Sequence, residues 1–290
     1  MRYQINFSFF APFASFAVNH LLRPMAKPVQ SNFQLWWQFT CREVAVRHRG
    51  SHLGVAWTIL TPLLEFAIYA TVFGAIFGGR YGAIENETAA DYALGVFLSL
   101  TLYRFVAEVL GIAPVIIVSQ PNYVKKVVFP LHLLPLSAFS AISWRVAVSV
   151  LLFLVGLVVW GPGFSWQNLW LPLLIVPLLL LSLGLAWGLA ALGVFLRDIN
   201  QLTGALSLVL LYSSAVFYSA SMVPEKSPLI WTFLRFNPLL HIVEDARRVM
   251  LWQLPPTAAS LVYVWVVGII TCLLGYECFR RLRPAFADVL

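Results

Sequence analysis

Arg104 and Glu108 stand four residues apart inside one apolar run, and Glu65 and Arg145 sit singly in two others. An ionisable side chain at membrane depth is costly, and it faces a bundle interior or water, paired with an opposite charge or a backbone carbonyl. These groups could therefore neutralise one another or line a hydrated path, and Arg145, beside Trp144, could pair with any of the acids. Other chemistry is sparse. His48 and His52 are four apart, but Gly50 intervenes and no third ligand is near, while His20, His132 and His241 stand alone. Cys41, Cys272 and Cys278 have neither metal-ligand spacing nor a disulfide framework and read as small apolar packing residues. No G-x-x-x-x-G-K-[ST] stretch is present to cradle ATP phosphates, so any nucleotide-driven step belongs to a partner. A membrane-embedded glycosyl or acyl transferase needs convergent acid, base or metal groups near one face, which these residues do not supply. No catalytic, cofactor-binding or metal-binding residue is assigned, and nucleic acid is not an expected partner.

A second constellation is aromatic and hydroxylated. "LYSSAVFYSAS" places Tyr212, Ser213, Ser214, Phe217 and Tyr218 close together near the end of an apolar segment. Small and hydroxylated residues often pack helices together. A sugar polymer offers another use for them: its C–H faces stack on rings and its hydroxyls exchange hydrogen bonds. Weak, repeated contacts of this kind let a chain slide through a path that must release as well as bind. With Tyr103, Arg104, Phe105 and Glu108 these are the candidate conduit residues.

The elements that must position them follow from composition. The 290 residues are 60% hydrophobic and 11% charged, with mean hydropathy +0.83, against roughly 25% charged in a soluble domain. Several apolar runs exceed the ~20 residues that cross a bilayer as a helix. The ~10-residue alternating segments of a membrane barrel are missing. The reading is an all-α polytopic membrane protein with six transmembrane helices: Leu53–Gly78, Tyr92–Ser119, Leu131–Trp160, Leu169–Leu196, Asn200–Ser221 and Thr257–Phe279. Cytoplasmic connections carry the excess of Lys and Arg. Twelve positives fall on the side of the termini and five on the other, so both termini are expected in the cytoplasm.

Residues 1–31 read as a cytoplasmic tail. Pro12, Asn19 and His20 interrupt its Phe-rich stretch, and no small-residue cleavage site follows. Residues 32–52 read as an amphipathic interface helix, with Phe33, Trp36, Trp37, Thr40 and Val44 at helical spacing and Gln34, Gln38 and Arg42 on another face. Trp36 and Trp37 suit the headgroup zone. Arg42, Arg47, His48 and Arg49 are placed to meet lipid phosphates or an anionic lipid-linked substrate.

The 121–130 connection is bracketed by Pro121 and Pro130, and "NYVKKVVF" between them can form two turns capped by Asn122. It would leave an apolar knob of Tyr123, Val127 and Val128 needing a partner. Between the fifth and sixth spans, residues 223–254 contain "SPLIWTFLRF" and "FNPLLHIVEDARRVML". Asn237 can cap the second, Pro238 suits its first turn, and Glu244 and Asp245 oppose Arg247 and Arg248 at i,i+3 and i,i+4 spacing. Two short apolar segments joined at Asn237–Pro238 suggest a re-entrant helical hairpin before the sixth span, tolerated only where protein or water surrounds it. Residues 280–290 form the cytoplasmic C-terminus of the 53–279 transmembrane unit.

In order along the chain, "CREVAVRHRGSHLGVAWTILTPLLEFAIYATVFG", "NYVKKVVFPLHLLPL", "FLRDINQL" and "FYSASMVPEK" with "FNPLLHIVEDARRVML" resemble the membrane subunits of type-2 ABC exporters. The similarity is to the polysaccharide branch, which moves O-antigen, capsule or teichoic acid chains, and it covers about Leu35 to Phe279. His48 departs from the aromatic residue usual in the family's "RYRGS". The resemblance implies a permease in the bacterial inner membrane, working as a homodimer with two copies of an ABC ATP-binding subunit that holds ATP and Mg. Its substrate would be a lipid-linked polysaccharide. A type-2 exporter of drugs or small lipophiles shares the architecture. The resemblance also makes Asn122, Tyr123, Val124, Lys125, Lys126 and Val127 the ATPase-coupling helix, residues 32–50 the gate or interface helix, and the hairpin the external mouth.

Overall fold

The computed structural model describes residues 31–47, 51–76, 79–82, 87–125 and 129–290. The tail to residue 30, His48, Arg49, Lys126 and Val127 lie outside the described residues. Every regular element among those described is helical. The interface segment is α1, Asn32–Arg47. The first apolar helix, α2, Trp57–Tyr69, runs on through wider π-type turns over Ala70–Ile76. Helix α3 is Ala89–Ile112, and its start is fixed by a capping box. Thr88 Oγ1 accepts the Asp91 amide at 3.1 Å, and Asp91 Oδ2 accepts the Thr88 amide at 3.0 Å. The short α4 spans Pro121–Lys125, α5 Leu133–Val159, α6 Leu171–Phe195 and α7 Ile199–Ser213. Three short helices follow, α8 Met222–Lys226, α9 Pro228–Leu234 and α10 Pro238–Met250, then α11 Ala258–Leu282 and α12 Phe286–Val289.

Five helices among the described residues are long and apolar enough to cross a membrane: 57–76, 89–115, 133–159, 166–195 and 258–289. The fifth segment expected to span does not reach that length. Helix α7 has 15 residues, about 22 Å at 1.5 Å per residue, against a hydrocarbon core of ~30 Å. It stops because Ala215 takes a left-handed conformation (φ 53°), the C-terminal stop described for helices. Asn237 then donates to the Ser213 carbonyl at 3.2 Å, to Ser213 Oγ at 3.0 Å and to Ser214 Oγ at 3.0 Å. The residues of "YSSAVFYSAS" beyond Ser213 are thus turned backbone rather than the last turns of a helix.

Helix α3 is the axis of the bundle, with 72% of its most apolar window buried, whereas the corresponding window of α2 is 11% buried. Helices α6 and α11 form the closest pair. A Cβ added at Gly275 would stand 2.0 Å from the Gly184 carbonyl, and one at Gly184 would stand 2.2 Å from that of Thr271. Only glycine permits this backbone contact, the small-residue packing that suits helices in lipid. The two ends of the bundle differ. Helix α1, α4, α12 and the second apolar cluster lie at one end, while α10 packs against α3 and the 160–170 turn at the other.

Candidate functional site

The charges of the spans form two groups, and neither is the Arg104–Glu108 pair that their spacing allows. Arg104 pairs with Glu65 of α2 and donates to the Tyr69 hydroxyl at 2.8 Å. Glu108 pairs with Arg145 of α5 and with Arg47, the last residue of α1, at 3.3 Å. Each acid is met by a neighbouring helix because α2, α3 and α5 converge on one side of the axis. Three guanidinium groups against two carboxylates leave one net positive charge, and all five side chains stay partly open to the surface. The face they border continues as an aromatic column. Phe66, Tyr69 and Phe73 lie along α2, and the Phe73 ring stacks on Phe217 at 5.4 Å.

The broken backbone beyond α7 is held by side chains. Tyr81 donates to the Val216 carbonyl at 3.1 Å, Tyr92 to that of Phe217 at 3.0 Å, and Arg247 to that of Tyr218 at 3.1 Å. Glu244 accepts from Ser219 Oγ at 3.0 Å and from the Ala220 amide at 3.2 Å, and pairs with Arg247. Arg247 is 0% exposed and lies over the Tyr81 ring at 4.2 Å. Burial pushes the Tyr81 phenol up to about 12, so it remains a donor. The peptide groups that a helix would have paired internally are satisfied here by α10, by α3 and by the segment before it, as any non-helical backbone away from water requires.

The remaining predicted residues divide by location. Tyr212 is 63% exposed, and Tyr218 donates to its carbonyl at 2.7 Å. Ser214 is buried. Tyr103 is turned into α7, donating to the Ser207 carbonyl at 2.9 Å. Phe105 is 1% exposed and packs on Phe139, so it belongs to the core. Asp245 does not pair with an arginine but accepts from Thr257 Oγ1 at 3.3 Å, tying α10 to the start of α11. Burial holds its carboxyl above the usual carboxylate range. Arg248 reaches the Pro255 carbonyl at 3.5 Å.

At the end with α4 and α12, α1 rests on α5 through Phe39 and Thr40, with Trp36 Nε1 donating to Ser140 Oγ at 3.0 Å. Trp37 and Phe33 are exposed. Tyr123 of α4 turns inward, meeting Phe39 at 5.5 Å and Phe129 at 5.1 Å and accepting from Arg42 at 3.1 Å. Of the expected apolar knob, Tyr123 is thus half covered by the chain itself and Val127 and Val128 lie outside the described residues, while Asn122 and Lys125 are exposed and Val124 is half-buried. Sequence reasoning missed Tyr81, Tyr92 and Phe286. The spacing of Phe66, Tyr69 and Phe73 along one helical face was the available signal for the aromatic column.

A helical membrane bundle without nucleotide-binding elements among its described residues, with charges paired along one open face, has the form of a permease subunit. The chain belongs to the ABC-2 type transporter family, whose sequence profile matches residues 34–251, and is a membrane permease subunit of an ABC transporter. It is 25% identical over 262 residues to the O-antigen export system permease protein RfbA of Klebsiella pneumoniae, covering 89% of this chain and 95% of that one. It is 24% identical over 247 residues to the protein of the same name in Myxococcus xanthus, covering 85% and 92%. To the polysialic acid transport protein KpsM of Escherichia coli it is 25% identical over 250 residues, covering 84% and 92%.

Proposed function

We propose that this chain is the transmembrane subunit of an ATP-driven exporter that carries a lipid-linked polysaccharide, of the O-antigen, capsule or teichoic acid kind, from the cytoplasm across the bacterial inner membrane. Two copies form a homodimer around the conduit, and two separate ATP-binding subunits bind ATP and Mg and hydrolyse the nucleotide. The observation that carries the reading is the column of half-buried rings leading from the Glu65–Arg104 pair through Tyr69 and Phe73 to Phe217. Such a surface offers sugars many weak stacking contacts and no deep charged pocket in which to stall, as a transport path requires. The names of the relatives point to the same cargo.

The largely uncovered α2 and α7 supply the face that a second copy would complete. The excess of Lys and Arg in the connections on the side of α1, α4 and α12 supports a cytoplasmic location for these helices. There α4 presents Asn122 and Lys125 to the motor, and α1 forms the gate at the rim. The hairpin helices α9 and α10 shape the external mouth. Deleting the gene should remove the surface polymer and leave undecorated carrier-linked chains inside the cell, with restoration by the intact chain. Unchanged surface glycan, together with ATPase activity that responds to small lipophiles, would instead make it an exporter of small molecules.

A further inference from the structure

Helix α11 is 25 residues long, about 37 Å, and so its end emerges from a hydrocarbon core of ~30 Å. The chain does not trail away there. Phe286 is fully buried, with its ring 5.5 Å from Phe279 and 6.0 Å from Phe195. Leu290 joins the apolar cluster that also contains Tyr123 and Val124 of α4. Helix α12 is thereby in contact with both α4 and α6.

We propose that α4 and α12 together form one composite docking surface for the ATP-binding subunit, a proposal that rests on α4 being the coupling helix. The outward side of this surface is contributed by both helices, which contact each other. It carries Asn122 and Lys125 from α4 and Ala287, Asp288 and Val289 from α12, with Val289 48% exposed. Arg197 and Arg283 are exposed at its margins, whereas Arg280 and Arg281 are occupied by Glu277. The partner that fits is acidic opposite Lys125, Arg197 and Arg283, basic or hydrogen-bond donating opposite Asp288, and apolar beneath Val289. An anionic lipid surface would meet the exposed Asp288 carboxylate unfavourably. Because α12 touches α4 while Phe286 anchors it to α6 and α11, a load on one helix is shared by the other and passes into α6 and α11.

The test uses the full-length chain expressed with its ATP-binding subunit and measures how much of that subunit is recovered with the permease, at equal membrane levels of permease. Lys125→Glu and the double variant Asp288→Lys with Val289→Asp should each lower recovery roughly tenfold, the equivalent of about 1.4 kcal/mol. Loss with Lys125→Glu but full recovery with the double variant overturns the composite surface and leaves α4 as the coupling helix. Full recovery with both overturns the coupling assignment as well. Full recovery accompanied by weakened binding of the double variant to vesicles of anionic lipid assigns α12 to the membrane instead. An independent reading that tolerates poor folding of the charged variants is Asp288→Cys. A bismaleimide should join it to the ATP-binding subunit above the level of the unsubstituted chain, and no added adduct counts against the proposal.

Discussion

Arg247 combines complete burial with contacts to Glu244, the Tyr81 ring and the Tyr218 carbonyl, so its charge holds the 214–221 turn against α10. Arg247→Met removes one partner of a buried pair and orphans a carbonyl, and should destabilise the protein by about 3–5 kcal/mol. The check is a lowered thermal midpoint in detergent and loss of folded material, with Arg247→Lys intermediate. Glu108 contrasts with it. Shared by Arg145 and Arg47 on a part-open face, it should tolerate Glu108→Gln for insertion, while export falls if that face borders the proposed conduit, because two guanidinium groups lose their counter-charge. Pulse-labelled polymer reaching the surface measures this. Tyr123→Phe keeps its ring contacts and loses only the bond from Arg42, a change worth about 0.5–1.5 kcal/mol, so export should persist. Tyr123→Asp should abolish export while the chain still inserts, because it places a charge among Phe39 and Phe129.

Two elements decide the architecture by opposite means. Helices α6 and α11 approach until the Gly184 and Gly275 backbones touch. Gly275→Val therefore forces them apart at a cost of about 1–3 kcal/mol or more, read as reduced thermal stability. Helix α7 ends at the left-handed Ala215, and Asn237 donates to its last carbonyl while capping α10, accepting the Leu239 amide at 3.0 Å. Asn237→Ala should cost about 1–2 kcal/mol for the cap and loosen the 214–221 turn, seen as faster amide hydrogen exchange there than in α3. The hydropathy pattern could not foresee this. The residues after Ser213 are as apolar as those before it, and only the donors brought in from Tyr81, Tyr92 and Arg247 make a broken helix tenable.

At the scale of the molecule, one copy covers α3 and leaves α2 with 11% of its most apolar window buried, and the aromatic column lies on that incompletely covered side. Replacing Tyr69, Phe73 and Phe217 together by Ala should spare insertion and ATPase assembly but shorten and reduce the exported polymer, scored by the length distribution of surface glycan. The sequence by itself determined the helical membrane class, the long apolar helices, the short helix after Pro121 and the capped helix at Asn237–Pro238, because hydropathy, helix caps and proline act locally. It also placed Arg104, Glu108, Arg145 and Glu65 inside spans. Only the tertiary structure decided that Arg104 pairs with Glu65 and Glu108 with Arg145, that Phe105 is core, that Asp245 binds Thr257, and that Phe286 joins the base of α4. Helical periodicity fixes which residues share one face of one helix. Which faces of different helices meet depends on backbone approach at sites such as Gly184 and Gly275, and no single segment encodes that.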